Sequence, residues 1–181
     1  MKYLVFTSLI LFSFFSHADY FTSGFEVGPG DLTVNSDFSA EGVTQSVNSD
    51  TVVGFFGYEP IPNLIIELNL FGSFSDDNVS ANVDQYRLVG TKLIVGYKFN
   101  IGQRFSITPE IGRVSWDLIT DIDAADFDED TETKRSGYDN VAQISANFAI
   151  TRSIDLYAVY SDNKYDFGKD RSSRLGMAFR F

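Results

Sequence analysis

Apolar and polar residues alternate with a period of two in eight segments of the chain, and turn-forming residues separate these segments. The clearest case is 86–99, where one face carries Val89, Thr91, Leu93, Val95, Tyr97 and Phe99. The opposite face carries Gly90, Lys92, Gly96 and Lys98, with Ile94 as the exception. After Asp19 no long stretch shows a helical period. Because alternate side chains of a strand point to opposite faces, the pattern predicts an all-β protein.

The eight predicted strands are about 9 to 14 residues long. They cover about 20–28, 51–59, 64–74, 86–99, 105–118, 140–150, 153–163 and 172–181. In the fifth strand the phase of the alternation changes, since Val114, Trp116 and Leu118 fall on the opposite parity to Ile107 and Ile111. A β-bulge near Gly112 is one explanation for this change.

The predicted connections alternate between short and long. The short ones lie around 60–63, 100–104 and 151–152, and the long ones cover about 31–50, 75–85, 119–139 and 164–171. Short turns on one rim and long loops on the other are typical of a membrane barrel, and strands of 9–11 residues match the hydrocarbon thickness. We therefore predict an eight-stranded antiparallel up-and-down transmembrane β-barrel.

A period of two does not by itself say which face points inward. A soluble barrel, for example a periplasmic lipid carrier, would place the apolar face inside. The minor face combines charged residues with glycines, namely Gly24, Gly57, Gly90, Gly96, Gly112 and Gly176. A narrow eight-stranded interior needs small residues. We therefore expect the polar face to point inward and the apolar face to point toward lipid.

Aromatic residues make up 15% of the chain, with 18 Phe and 9 Tyr. Many stand near the ends of the predicted strands, where a membrane barrel carries its interfacial girdles. The expected girdle residues are Phe21, Tyr58, Phe74, Tyr97, Phe99, Phe105, Trp116, Phe148, Tyr160, Phe179 and Phe181.

The N-terminal 18 residues have the features of a secretory signal peptide. Lys2 supplies the positive charge, an apolar run of about twelve residues follows, and Ser16 and Ala18 occupy the −3 and −1 positions of a cleavage site. The expected domains are a cleaved signal peptide at 1–18 and an outer-membrane β-barrel at 19–181. The expected location is the outer membrane of a Gram-negative bacterium.

Composition excludes several functions. Cysteine is absent and the net charge is −11, which argues against disulfides, zinc–thiolate sites and nucleic-acid binding. The single histidine, His17, lies in the predicted signal peptide. Lipid-modifying barrels that activate a serine depend on a histidine base, so we expect no enzymatic activity.

Charged residues on the predicted inner face could form a salt-bridged network. Its candidate members are Glu26, Glu59, Glu67, Lys92, Lys98, Glu110, Arg174 and Arg180. One interpretation is a polar plug that replaces an apolar core. The other is a narrow ion pathway gated by the same pairs.

An acidic run at 121–132 superficially resembles an EF-hand loop, with Asp121, Asp123 and Glu132 at positions one, three and twelve. Position five is Ala125, and position six is Asp126 where the motif needs glycine. We reject an EF-hand and expect no cofactor. Weak binding of a divalent cation and a simply solvated acidic loop both remain open.

The last eight residues match a sorting motif with a polar residue, a glycine two positions later, and apolar residues at the third-last and last positions. Here these are Arg174, Gly176, Phe179 and Phe181. The motif resembles the outer-membrane insertion signal, and the whole pattern resembles the small OmpA/OmpX-type outer-membrane barrels. That resemblance implies outer-membrane lipid, lipopolysaccharide and the barrel assembly machinery as partners. It also implies a structural or porin-like role, with surface adhesion through the long loops as the alternative.

Overall fold

A computed structural model describes residues 21–39, 42–75, 85–122 and 131–181. The predicted signal peptide lies outside these residues, as does most of the acidic run at 121–132. No helix in the described part of the chain is both long and apolar enough to cross a bilayer.

The described residues form nine strand segments. They are β1 (Phe21–Val34), β2 (Gln45–Ile61), β3 (Leu64–Ser75), β4 (Gln85–Tyr97), β5 (Phe99–Ile101), β6 (Phe105–Ile122), β7 (Thr131–Ala149), β8 (Ile154–Tyr165) and β9 (Gly168–Arg180). Segments β4 and β5 continue one strand in the same register along β6. Every pairing is antiparallel, and the β4–β6 and β1–β9 pairings close the sheet. The predicted eight-stranded up-and-down barrel is confirmed.

The two rims differ. One, here called the turn rim, carries the short connections at 62–63, 102–104 and 150–153 together with both ends of the described barrel, where the Phe181 amide donates to the Phe21 carbonyl at 2.9 Å. Left-handed backbone at Asn63 and Gly102 supports two of these turns. The opposite end, here called the hairpin rim, carries the β1–β2, β3–β4, β6–β7 and β8–β9 connections.

Near the turn rim the predicted faces are confirmed. Phe25, Leu70, Leu93, Ile111 and Leu175 are each at least half exposed on the outside, whereas Glu26, Glu67 and Glu110 are buried inside. Ile94, the apolar exception on the inner face, is also buried. The outward apolar surface is thus continuous around the middle of the barrel.

Near the hairpin rim the polarity of the two faces reverses. Val114, Trp116 and Leu118 are at most 2% exposed and point into the bore, while their outward neighbours include Ser115 and Asp117. β6 keeps one unbroken register with β4 and with β7, so the bulge expected near Gly112 is wrong. The chemistry of the faces changes there, and the strand geometry does not. A register shift occurs instead at Tyr58–Ile61 in β2.

This reversal explains why the predicted strands end too early. The segment expected as a long loop at 31–50 is strand at both of its ends, at 31–34 and 45–50, and the described parts of 119–139 are strand. The segment 164–171 forms a tight hairpin in place of a long loop. Trp116, expected in an aromatic girdle, lies inside the barrel. The outward-facing residues stop being apolar at the edge of the apolar band, although the strands continue beyond that edge.

Two glycines show how closely neighbouring strands approach. An added Cβ at Gly112 would lie 2.1 Å from the Leu93 carbonyl oxygen, and one at Gly176 would lie 2.0 Å from the Phe25 carbonyl oxygen. A side chain at either position would force the strands apart. The expectation that glycines of the inner face stand where space is scarce is confirmed at both positions.

Candidate functional site: the barrel interior

The bore near the hairpin rim is filled by apolar side chains, here called the apolar plug. Its members include Leu32, Val34, Val47, Tyr86, Leu88, Ile94, Val114, Trp116, Leu118, Val141, Tyr165 and Phe167. The rings of Tyr165 and Phe167 stack at 4.9 Å, and Trp116 meets Phe167 edge-on at 4.8 Å. Phe38, in the connection after β1, packs against the plug beneath the Arg135 guanidinium.

Asp139 links the plug to the wall of the barrel by hydrogen bonds. Its Oδ2 atom accepts a hydrogen bond from the Trp116 indole at 2.7 Å and another from the Asp166 amide at 3.2 Å. The carboxylate thus ties the β6–β7 hairpin to the β8–β9 turn. On the outer surface, hydrogen bonds from Ser136 and Lys134 hold the pKa of Asp117 below its usual range. The wall here is polar outside and apolar inside, as in a soluble β-barrel.

A polar layer lies below the plug, centred on Arg174. The Arg174 Nε atom donates to Glu26 Oε2 at 2.9 Å, and both side chains are almost fully buried. The remaining guanidinium nitrogens donate to Ser161, Ser172 and Gln143. A buried ion pair stabilises only when its other hydrogen-bonding groups are also satisfied, and Arg174 meets that condition.

Glu110 joins this layer through neutral partners. Its carboxylate accepts hydrogen bonds from Gln143 Nε2 at 2.5 Å and from Ser145 Oγ at 2.6 Å. Gln143 therefore bridges Glu110 to Arg174. Glu67 is buried in the same region, at 4% exposed. Sequence reasoning missed the serine and glutamine members because neither carries a charge.

Lys92 does not form the ion pair that was expected of it with a glutamate. Its Nζ atom lies 4.3 Å from the centre of the Phe71 ring, and the residue is 1% exposed. Asp170, on β9, is equally buried, and both of its carboxylate oxygens have no hydrogen-bond partner among the described residues. Asp170 was missed because it lay in a segment expected to be loop.

A third group of charges closes the turn rim. Lys98 pairs with Glu59 at 2.7 Å, and Arg180 pairs with Asp155, which also accepts a hydrogen bond from Asn147. Glu59 additionally accepts the Asn63 amide at 2.6 Å. A cavity of about 20 Å³ remains among these residues, which is room for about one water molecule. The eight candidate charges therefore do not form one network. Four lie in the Arg174 layer, Lys92 lies beside Phe71, and the other three lie at the turn rim.

Three residues of the predicted insertion motif lie in β9, and Phe181 directly follows that strand. Arg174 points into the bore and Gly176 lies against β1, while Phe179 and Phe181 are exposed on the outside. Their role in insertion stays a prediction. So does cation binding by the acidic run, because 123–130 lies outside the described residues. Among those described, no group of three or more acidic or histidine side chains is arranged to hold a metal ion.

A closed barrel with a polar layer inside and a continuous apolar band outside has the inverse polarity of a soluble protein across that band. The model of the outer membrane protein beta-barrel domain family matches residues 4–181. The chain belongs to this family. Among such barrels the short turns face the periplasm and the longer connections face outward. By this rule we expect the turn rim to be periplasmic and the hairpin rim to be extracellular.

Solved outer-membrane barrels share the fold at low sequence identity. Neisserial surface protein A aligns with a TM-score of 0.70 at 12% identity, covering 91% of this chain and 98% of that one. The attachment invasion locus protein Ail of Yersinia pestis aligns with a TM-score of 0.59 at 15% identity, covering 90% and 99%. The N-terminal barrel of Pseudomonas aeruginosa OprF aligns at 0.54 and 15%, covering 88% and 97%. Comparison with curated protein sequences finds no significant match.

The Arg174–Glu26 pair generates a prediction about the stability of this outer-membrane barrel. The variant Arg174→Met should lower the free energy of unfolding by about 3–5 kcal/mol, because it leaves the Glu26 carboxylate buried without its cation. Adding Glu26→Gln to that variant should restore part of the loss. Thermal unfolding of protein refolded in detergent, followed by the heat-dependent shift in gel migration, measures both effects without the cellular assembly machinery.

The matched control for this cycle is Arg171→Met, which removes an exposed arginine that pairs with Asp162 on the outer surface. Exposed pairs contribute about 0–1 kcal/mol, so its unfolding midpoint should stay near that of the wild type. Equal midpoints for Arg174→Met and Arg171→Met would contradict the assignment of Arg174 as the centre of the polar layer.

Proposed function

We propose that the protein is a structural, non-conducting barrel of the outer membrane that holds a rigid β-hairpin platform at the cell surface. The proposal includes export with removal of residues 1–18 and insertion through the barrel assembly machinery, which the C-terminal motif supports. The observation that carries the proposal is the apolar plug, which fills the extracellular half of the bore.

The plug and the polar layer oppose conduction in different ways. A solute entering from outside would have to displace packed rings such as Trp116 and Phe167, and each fully buried apolar side chain contributes about 1.5–3 kcal/mol. Below the plug, a solute would have to separate Arg174 from Glu26 and break the hydrogen bonds around them. An eight-stranded barrel of this kind is filled by its own side chains.

Recordings in planar lipid bilayers test this proposal. Refolded wild-type protein should give no stable unitary current steps in potassium chloride, whereas a general porin added to the same bilayer provides the positive control. Reproducible current steps that scale with the amount of inserted protein would contradict a closed barrel and favour the porin-like alternative.

Surface binding is a second candidate, and the β6–β7 hairpin favours it. Beyond the Val114–Asp139 pair, its two strands continue in register to Ile122 and Thr131. At about 3.4 Å per residue these eight further pairs reach about 27 Å along the strands. β8 ends at Tyr165, so the β6–β7 hairpin extends beyond the end of β8. The name of the similar Ail protein refers to attachment and invasion.

Attachment of bacteria to epithelial cell layers tests the second candidate. A variant in which Asn-Gly replaces residues 119–134 keeps the Leu118–Arg135 pair as the base of a tight turn. If the hairpin binds host surfaces, this variant should lose attachment while the wild type retains it. The heat-dependent gel shift must first show equal amounts of folded protein. Equal attachment by the wild type and the variant would contradict a binding role for the hairpin. So would bacteria that lack the protein but attach as well as the wild type.

A further inference from the structure

A groove of about 790 Å³ runs along the outer surface of β4, β6, β7 and β8. Its lower walls are Leu93, Val95 and Ile111, which belong to the lipid-facing apolar band. Its upper, extracellular end is polar and includes Arg113, Asn140, Asp162 and Lys164. The groove therefore crosses the boundary between the apolar band and the charged extracellular wall.

The groove lies where the backbone pairing between β7 and β8 ends. Ala142 contributes only a methyl group to the floor, and Gly112, a residue of the inner face, contributes only backbone atoms. Pairing between β7 and β8 stops at Gln143–Ser161. Above that point, Asn163 Oδ1 accepts the Ala142 amide hydrogen at 3.0 Å in place of a carbonyl of the opposite strand. A side chain thus satisfies the Ala142 amide where the ladder between the two strands has ended.

The charge at the upper end is positive, although the chain as a whole carries −11. Arg113 donates a hydrogen bond to Asn140, and within the described residues neither Arg113 nor Lys164 forms an ion pair. Asp162 also lines the groove, but Lys169 at 2.8 Å and Arg171 at 3.0 Å already neutralise it. Two cations at the mouth of the groove thus have no acidic partner in the part of the chain that the structure describes.

The position of the groove selects its occupant. Its apolar half lies at the depth of acyl chains, and its cationic half lies where lipid headgroups of the outer leaflet begin. Arginine and lysine bind phosphate through charge-assisted hydrogen bonds. We propose that the groove binds the phosphorylated lipid A portion of lipopolysaccharide, with an acyl chain over Gly112 and Ala142 and a phosphate at Arg113 and Lys164. This inference rests on the extracellular orientation of the hairpin rim but not on whether the barrel conducts.

The test is a titration of refolded protein in neutral detergent with diphosphorylated lipid A, followed by native mass spectrometry and by the thermal midpoint. The wild type should show saturable binding and a raised midpoint. The double variant Arg113→Gln/Lys164→Gln should bind at least about tenfold more weakly, equivalent to about 1.4 kcal/mol. Ala142→Phe, which fills the groove and keeps both cations, should also weaken binding.

The matched control is the double variant Lys134→Gln/Arg152→Gln, which removes two exposed cations away from the groove and should bind as the wild type does. Equal affinity of the groove variant and this control would overturn the proposal. Saturable binding of phosphatidylglycerol with the same affinity and the same dependence on Arg113 and Lys164 would overturn lipid A as the occupant. If Ala142→Phe does not fold, the comparison of the two double variants decides the question.

Discussion

The structure depends on one constraint, which is that the same strands must face hydrocarbon along part of their length and water along the rest. In lipid every backbone amide and carbonyl needs an internal partner, and the closed antiparallel ladder supplies one. The polarity of the side chains on each face then depends on whether lipid or water surrounds that part of the barrel. In the apolar band Leu93 and Ile111 point outward and Arg174 points inward, whereas above it Trp116 points inward and Asp117 outward.

This change of polarity gives the barrel two different cores. The lower core is polar, and it is held by directed hydrogen bonds that place Arg174 among Glu26, Gln143 and two serines. The upper core is apolar and is held by packing, with Asp139 as its main polar fastening. Together the two cores occupy the bore between the turn rim and the hairpin rim. The groove at Arg113 and Lys164 lies on the outer surface, where the apolar band meets the polar wall above it.

The fold and the lower core were largely predictable because alternation of large apolar residues with charged or small ones continues along each strand. The same reasoning failed above the band. There Val114, Trp116 and Leu118 looked like a slipped phase, and the charged segment at 164–171 looked like a loop. Local pattern cannot show which medium surrounds a strand, since that depends on its height in the closed barrel. Partners such as Ser161 and Gln143 were missed because pairing across strands is set by register, which the sequence shows only indirectly.

Trp116 provides the most direct test of the reversal because it is the only tryptophan in the chain. Its fluorescence in refolded protein in bilayers can be quenched by bromine-labelled lipid chains or by acrylamide in water. Our account predicts weak quenching by both, because the indole lies in the plug. A tryptophan placed at Tyr160, with Trp116→Phe in the same chain, should be quenched strongly by the brominated lipid. Strong quenching of Trp116 itself by that lipid would place its side chain on the membrane surface and contradict the account.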